Sequence, residues 1–242
     1  DNRIVFDTIA GDNADKIPLI DQVTSKVVKD RVSEGVTYKL YYLVVAQGGG
    51  EKSPEFPDIA TLTYEGTWIN EEISTVDYTR LFDGSVVPVS FDLTAVVNGF
   101  QDAMIEFNVA EDIVNNGDGT LEAINPGIGA VFMPAGLGYY VNPPAGSEIP
   151  IYSQLIFSFN LWDMAQGDQD NDGIPSVDED LNNNQLEEDD DTDGDNIPNY
   201  ADADDDNDGR PTADEIEIDA DGNITYPDSD GDGVVDYLDS DS

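Results

Sequence analysis

The stretch Asp168-Gln169-Asp170-Asn171-Asp172-Gly173-Ile174, closed by Glu179, sets carboxylates at alternate positions, a turn residue sixth and another carboxylate twelfth. Three more segments keep that frame: Asp191, Asp193, Asp195 and Asn196 with Asp202; Asp204, Asp206, Asp208 and Gly209 with Glu215; Asp228, Asp230, Asp232 and Gly233 with Asp239. Their first positions are 23, 13 and 24 residues apart. Weaker copies start at Asp180, with Asn182, Asn184 and Asp191, and at Asp219, with Asp221 and Asn223. Alternate residues of a tight loop can aim oxygens at one centre, which suits calcium and its appetite for about six to eight oxygen ligands. Position six must turn sharply, hence Gly or Asn. Position seven (Ile174, Ile197, Arg210, Val234) offers a backbone carbonyl, and position twelve closes the far side.

Working outward, the acid is unevenly spread along the 242 residues. Residues 1–164 hold 24 acidic and eight basic residues; residues 165–242 hold 29 acidic and one basic, Arg210. The second part cannot fold on hydrophobicity, because its apolar residues are isolated and its like charges repel. Composition therefore sets a boundary near Met164–Gly167. An acidic, solubilising, disordered tail is the alternative, but such a tail needs no Gly or Asn at a fixed place after three alternating acids. Magnesium or manganese is the alternative metal, disfavoured by the all-carboxylate cage. The chain as a whole carries a formal charge of −44, with no His and no Cys. That excludes nucleic acid and anionic membrane surfaces as natural partners, and with them imidazole bases, thiolate nucleophiles and soft metal sites. The longest apolar run, Leu40–Ala46, is far short of a membrane span.

The flanks do not suit EF-hands: two loops start 13 residues apart, and Pro175, Pro198 and Pro211 follow position seven. The repeats instead resemble thrombospondin type-3 repeats over about 168–242. The resemblance implies an irregular, calcium-stabilised module that binds several Ca2+ ions, with adjacent loops able to share them. Eukaryotic repeats of this type carry disulfides; this chain has none, so calcium must hold the module alone.

Before the boundary, the chain reads as short strands with turn punctuation. Val36–Ala46 is β-branched and aromatic, and Ile59–Tyr64 and Leu155–Leu161 alternate. Thr94–Phe107 sets Val97, Ala103, Met104 and Phe107 at helical spacing. These features predict an α+β domain over 36–164, an antiparallel half-barrel sheet wrapped round one helix. Residues 1–35 form an N-terminal extension in which Asp15–Ser33 is expected to be helical, with Pro18 near its start and Val23, Val27 and Val28 on one side.

Seven short motifs then fall in order: Thr63-Tyr64-Glu65-Gly66, Leu81-Phe82-Asp83-Gly84-Ser85, Val89-Ser90-Phe91-Asp92-Leu93, Val96-Val97-Asn98-Gly99-Phe100, Met133-Pro134-Ala135-Gly136-Leu137-Gly138-Tyr139, Glu148-Ile149-Pro150, and Leu155–Leu161. Over about 36–163 the chain resembles an FKBP-type peptidyl-prolyl cis-trans isomerase. Carried over by position, the family's proline pocket falls on Tyr64, Phe82, Asp83, Phe91, Val96, Val97, Phe100, Tyr139, Ile149 and Phe157. Phe100 stands where the family's floor is usually Trp. The resemblance implies that the Ile149 N–H and the Tyr139 hydroxyl hold peptide carbonyls, and that Asp83 meets the substrate carbonyl or orients Tyr64. No cofactor is needed for isomerisation, so the missing His and Cys are no obstacle. Core packing is the alternative reading for each aromatic taken alone.

Departures from the family pattern are an acidic insertion at Asn70–Asp77, a short stretch between Phe82 and Phe91, and Val89 at a place where an aromatic is common. The family's Arg partner of the Asp is missing, and Arg80, the candidate substitute, comes from the wrong side. The connection Asn108–Gly129 is lengthened; its Asn115-Asn-Gly-Asp-Gly119 lacks the acids of a calcium loop and is expected to be a hairpin. Two functions stay open: isomerisation of X–Pro bonds in proline-containing polypeptides, with the loops as a stalk, or a catalytically weak binding module on a calcium-dependent surface protein. Loops this acidic fill at extracellular calcium levels, which predicts an exported location in the periplasm, at the outer surface or secreted, tethered to a membrane if at all through a segment absent from this chain.

Overall fold

Alternating β-branched and aromatic residues dominate the first part of the chain, and they assemble into one six-stranded sheet. The computed structural model describes residues 4–7, 9–31, 33, 35–69 and 79–242. The insertion Asn70–Asp77 lies outside the described residues. The strands are β1 (Thr24–Lys29), β2 (Thr37–Ala46), β3 (Ile59–Ile69), β4 (Thr79–Asp92), β7 (Gly127–Met133) and β8 (Leu155–Ala165), in the spatial order β1-β2-β7-β8-β3-β4. One α-helix, α1 (Asn98–Met104), follows β4, and a separate hairpin of β5 (Asp112–Asn115) and β6 (Leu121–Ile124) precedes β7. The pairings β1–β2, β2–β7, β3–β4 and β7–β8 are antiparallel. Across β3 and β8, Thr63 meets Asn160, Thr67 meets Ile156 and Ile69 meets Gln154, so that pair is antiparallel too. Among the described residues the result is a mostly antiparallel sheet with a single α-helix.

The structure corrects the helix expected at Asp15–Ser33. Two single 3-10 turns, Gly11–Asn13 and Leu19–Asp21, lead into β1, which pairs with β2 along Thr24–Lys29. Val28 is buried while Val27 and Lys29 are exposed, a period of two in place of the helical face. Vacant hydrogen-bonding groups on the edge of β2 capture a Val-rich segment that has little intrinsic preference for helix.

Helix α1 has only seven residues, and five of them, Gly99, Phe100, Gln101, Ala103 and Met104, are buried. So short a helix gains its stability from packing. It sits close on β7: a Cβ on Gly99 would come within 2.9 Å of the Met133 Cβ. Buried Gln101 donates from Nε2 to the carbonyls of Leu93 and Val96, fastening the 93–97 segment to the helix. The core gathers Leu40, Leu62, Phe100, Met104, Phe107, Val131, Phe157, Phe159 and Leu161 between sheet and helix. In the lengthened connection, Asn116 N–H bonds the Thr120 carbonyl and Gly117 and Gly119 take positive φ, closing the β5–β6 hairpin.

The chain divides into two compact units, one of residues 1–54 and 59–164, the other of 55–58 and 165–242. In the second unit Glu55–Asp58 joins the acidic repeats: Gln169 Nε2 donates to the Pro57 carbonyl at 2.6 Å, and the Phe56 and Tyr200 rings meet edge-on at 6.2 Å. Regular structure there is sparse. Short 3-10 turns follow the loops, and the strands β9 (Glu217–Ile218) and β10 (Ile224–Thr225) make one small hairpin. Its apolar cluster is small: Ile174, Ile216 and Tyr237 are buried, with Ile224, Tyr226, Val235 and Leu238 against them.

Candidate functional site

Two bulges in β4 shape the site of the first unit. Leu62 faces Val89 but Tyr64 faces Ser85, and Gly66 faces Asp83 but Thr67 faces Leu81. The second shift leaves Phe82 as the extra residue, and such bulges re-aim side chains. Phe82 turns over Gly66, where a Cβ would lie 2.7 Å from its Cζ and 2.9 Å from Phe157 Cε1. The absent side chain at position 66 is what lets these rings meet.

The aromatics form a connected cage. Phe157 meets Phe82 at 5.6 Å and Phe100 at 5.2 Å, Tyr64 meets Phe91 at 5.1 Å, and Phe82 meets Tyr139 at 6.4 Å, all edge-on. Phe100 is 3% exposed and forms the floor. A cavity of about 400 Å³ lies inside, lined by Tyr64, Asp83, Ser90, Phe91, Asp92, Ala95, Val96, Val97, Phe100, Tyr139 and Phe157. That volume suits a small apolar ligand or one side chain with its flanking peptide. A hydrogen-bonded polar pair stands in the wall beside Ser90 and Asp92: the Tyr64 hydroxyl donates to Asp83 Oδ2 at 2.6 Å, while the Gly84 N–H bonds Asp83 Oδ1 at 2.9 Å. Burial, then the bond to Asp83, pushes the Tyr64 phenol far above its ordinary pKa, and burial followed by the Asp83 charge raises Tyr139. Both phenols therefore stay protonated, as hydrogen-bond donors.

Of the ten residues expected here, eight line the cavity. Phe82 reaches it through its contacts with Tyr139 and Phe157. Ile149 is 6% exposed and belongs to the core cluster, not to the cavity lining. Ser90, Asp92 and Ala95 line the cavity without having been singled out; they flank Phe91 and Val96 in the same motifs.

In the second unit, three carboxylates converge in each loop: Asp168, Asp170 and Asp172; Asp191, Asp193 and Asp195; Asp204, Asp206 and Asp208; Asp228, Asp230 and Asp232. In each trio one oxygen per residue lies within 4.8 Å of the others. Positions four and six take positive φ in every loop: Asn171 and Gly173, Gly194 and Asn196, Asn207 and Gly209, Gly231 and Gly233. The N–H of position seven donates to the position-five carboxylate in all four, from Ile174, Ile197, Arg210 and Val234. At position twelve Glu179, Glu215 and Asp239 are buried and Asp202 is half-buried. The Asp180 copy has the same backbone, with Asn183 and Gln185 at positive φ, but its Asn182 and Asn184 amides donate to Asp189 and Asp190. The Asp219 copy is the β9–β10 turn, where the Asn223 amide donates to Asp219, and Asp221 is exposed.

A repeated tie escaped the sequence reading. The position-nine side chain accepts from the position-two N–H in all four loops: Ser176 from Gln169, Asn199 from Thr192, Thr212 from Asp205, Asp236 from Ser229. All four position-nine residues are buried. The signal was present as a small hydrogen-bonding residue two places after position seven.

Whether a cation fits is decided by the buried oxygens. Glu179 is 0% exposed with neither carboxylate oxygen hydrogen-bonded, and Asp172, Asp205, Asp206 and Glu215 each hold at least one more such oxygen. Burial, then neighbouring carboxylates, raises Glu179 to about 10. Burial first of all likewise raises Asp205 to about 8 and Asp170 and Glu215 to about 7. Oxygen-only clusters that are destabilised by their own charge fit a hard divalent cation of high coordination number.

With the geometry in view, the relatives can be set beside it. A family described as BamM C-terminal matches residues 169–227, within the loop unit. No curated protein matches the chain. Among solved structures, a peptidyl-prolyl cis-trans isomerase from Pseudomonas syringae pv. tomato is similar over 52% of this chain and 76% of its own, at 18% identity and a TM-score of 0.40. FkpA from Escherichia coli is similar over 52% of this chain at 26% identity and a TM-score of 0.38. The chain spans 47% of the FkpA chain.

Proposed function

We propose that the first unit is an FKBP-like domain that isomerises X–Pro peptide bonds, and that the second is a calcium-bound loop module resembling thrombospondin type-3 repeats. The observation that carries the first half is the aromatic cage around a cavity of about 400 Å³ with a hydrogen-bonded polar pair, Tyr64–Asp83, in its wall. A pyrrolidine ring is an apolar object that such a cage binds by burial and ring contact. Rotation about the X–Pro bond faces a barrier of about 20 kcal/mol from amide resonance. A dry pocket disfavours the charge-separated planar amide and can bind the twisted form better than either planar isomer. Tyr139 supplies a protonated hydroxyl at the cavity wall, and Asp83, held by Tyr64, adds a negative charge that acts on that hydroxyl. No titrating group takes part in the rotation.

For the second unit, the supporting observation is Glu179, fully buried with both oxygens unsatisfied among other carboxylates. Asp168, Asp170 and Asp172 with Glu179, and the corresponding residues of the other three loops, would hold calcium, which supplies the positive charge their burial demands. Loops of this charge density fill at the millimolar calcium found outside cells, which supports an exported location. Among the described residues no helix is long and apolar enough to cross a membrane.

The test of the isomerase is NMR-detected exchange in an Ala-Xaa-Pro peptide, with Tyr139→Phe and Asp83→Ala alongside the unaltered chain. Acceleration that falls in both variants supports the assignment; unchanged kcat/KM in both removes it. A chain that binds a proline peptide without accelerating exchange is a binding module, the reading favoured by Phe100 in place of the family's usual Trp floor.

A further inference from the structure

In every loop the position-two N–H donates to the position-nine side chain. At three of the four, Gln169, Thr192 and Ser229, the position-two side chain is neutral. In the third loop the residue is Asp205, 2% exposed. The tie does not need a carboxylate there, because the Thr212 hydroxyl accepts from the backbone N–H. Burying a charge at a place where a neutral residue suffices costs free energy unless an opposite charge meets it. Thr212 Oγ1 also donates to Asp205 Oδ2 at 3.2 Å, while Oδ1 has no hydrogen-bond partner.

Asp205 reaches out of its own loop. One oxygen each of Asp172, Glu179 and Asp205 lie within 4.8 Å of one another, although the first two belong to the loop 168–179 and the third to the loop 204–215. All three residues are more than nine-tenths buried, and Glu179 has neither oxygen satisfied. With Asp168 and Asp170 the group counts five carboxylates. One divalent cation in the first loop would leave three negative charges, concentrated on the buried residues; two cations would leave one.

We propose that Asp172, Glu179 and Asp205 hold a second divalent cation, beside the one bound within the loop 168–179, and that it ties the first loop to the third. The proposal rests on the calcium reading of the loops. Asp172 and Glu179 then bridge two ions, and Asp205 is the ligand that commits the third loop to the first, past the loop 191–202 that separates them in sequence. Water and backbone carbonyls complete the shell, as calcium's flexible coordination allows. The bridge works as a staple between 179 and 205 that stabilises the folded unit, because the cation binds the folded arrangement and not the unfolded chain.

The test uses the full chain and calcium alone. Asp205→Asn keeps the shape and the Thr212 tie but removes the ligand charge, so after equilibration at millimolar calcium the variant should carry one calcium fewer per chain, the other loops staying filled. Anomalous diffraction from crystals of the unaltered chain grown in calcium should show two peaks at the first loop, one of them against Asp205; this decides the matter even if the variant does not fold. An unchanged calcium count in Asp205→Asn, a single peak, or no peak against Asp205 overturns the bridge while leaving the loop reading intact. An unaltered chain that binds no calcium overturns both.

Discussion

Dialysing the full chain against a chelator leaves Asp172, Glu179 and Asp205 facing one another without a counter-charge. At 4.8 Å or less, each ionised pair repels by about 3.5 kcal/mol at an effective dielectric of 20. The three pairs together come to about 10 kcal/mol, which is of the order of the whole stability of a unit this size, about 4–12 kcal/mol. The calcium-free unit therefore has two outlets, unfolding or protonation, and pH chooses between them. Unfolded carboxylates titrate near 4. In the folded unit Asp172 titrates at about 6, Asp170 at about 7, Asp205 at about 8 and Glu179 at about 10, raised by burial first. Between those limits the folded form holds more protons than the unfolded one, so its stability falls as pH rises through 6 to 8.

The expected result is a chelated chain whose residues 165–242 are cut readily by protease at pH 8 and become more resistant toward pH 5. The first unit should stay intact in both. With calcium present the dependence inverts, because protons then compete with the metal for the same oxygens. Near-ultraviolet circular dichroism of the Tyr226–Tyr237 pair, whose rings are 5.3 Å apart, follows the same transition. A chelated chain as resistant at pH 8 as at pH 5, or one that gains resistance as pH rises, would refute the reasoning.

Gly66→Ala puts a methyl 2.7 Å from Phe82 Cζ and should displace the pocket rings, lowering stability by about 1–3 kcal/mol through overpacking and kcat/KM for a proline peptide by about tenfold or more, read by calorimetry and exchange NMR. Tyr64→Phe deletes the bond to Asp83 at a cost of about 1 kcal/mol in denaturant titration, and in combination with Asp83→Ala its loss of activity should be less than additive. Thr212→Val removes a 0%-exposed hydroxyl that serves both the N–H and the carboxylate of Asp205, so the calcium-loaded second unit should lose about 1–3 kcal/mol in its own unfolding transition.

The order of the aromatic motifs was enough to bring Tyr64, Asp83, Phe91, Phe100, Tyr139 and Phe157 to one cavity, because each motif is tied to one strand or turn of the sheet. It could not show the bulge that swings Phe82 over Gly66, since a register shift between strands leaves no local mark. Ile149 was named for its backbone, and its side chain went to the core. The segment around Val23, Val27 and Val28 satisfied both helical and strand spacing; the vacant edge of β2 settled it, with partners 8 to 18 residues away in sequence. In the loops, position nine was hidden by its variety: Ser, Asn, Thr and Asp look unrelated until their bonds to position two are seen. Asp205 was passed over for the complementary reason, as one more Asp in Asp204-Asp-Asp206.

The two units gain their stability from different sources, and this explains where the charge could accumulate. The first has a continuous core in which Leu40, Leu62, Met104, Phe107 and Leu161 are sealed from solvent, and it needs no counter-ion. The second buries only three apolar side chains in its cluster, yet it also buries Glu179, Glu187, Asp205, Asp206 and Glu215. So small an apolar cluster cannot by itself offset the backbone entropy of ordering about 80 residues. Carboxylates are thus the main interior of that unit, and such an interior is cohesive only when cations or protons offset its charge. An acidic residue added to the surface of the first unit only raises net charge, whereas on the proposed calcium reading one removed from the interior of the second takes away a ligand. Neutralising substitutions should accordingly stabilise the first unit slightly and destabilise the calcium-loaded second, the reverse of what net charge alone would predict.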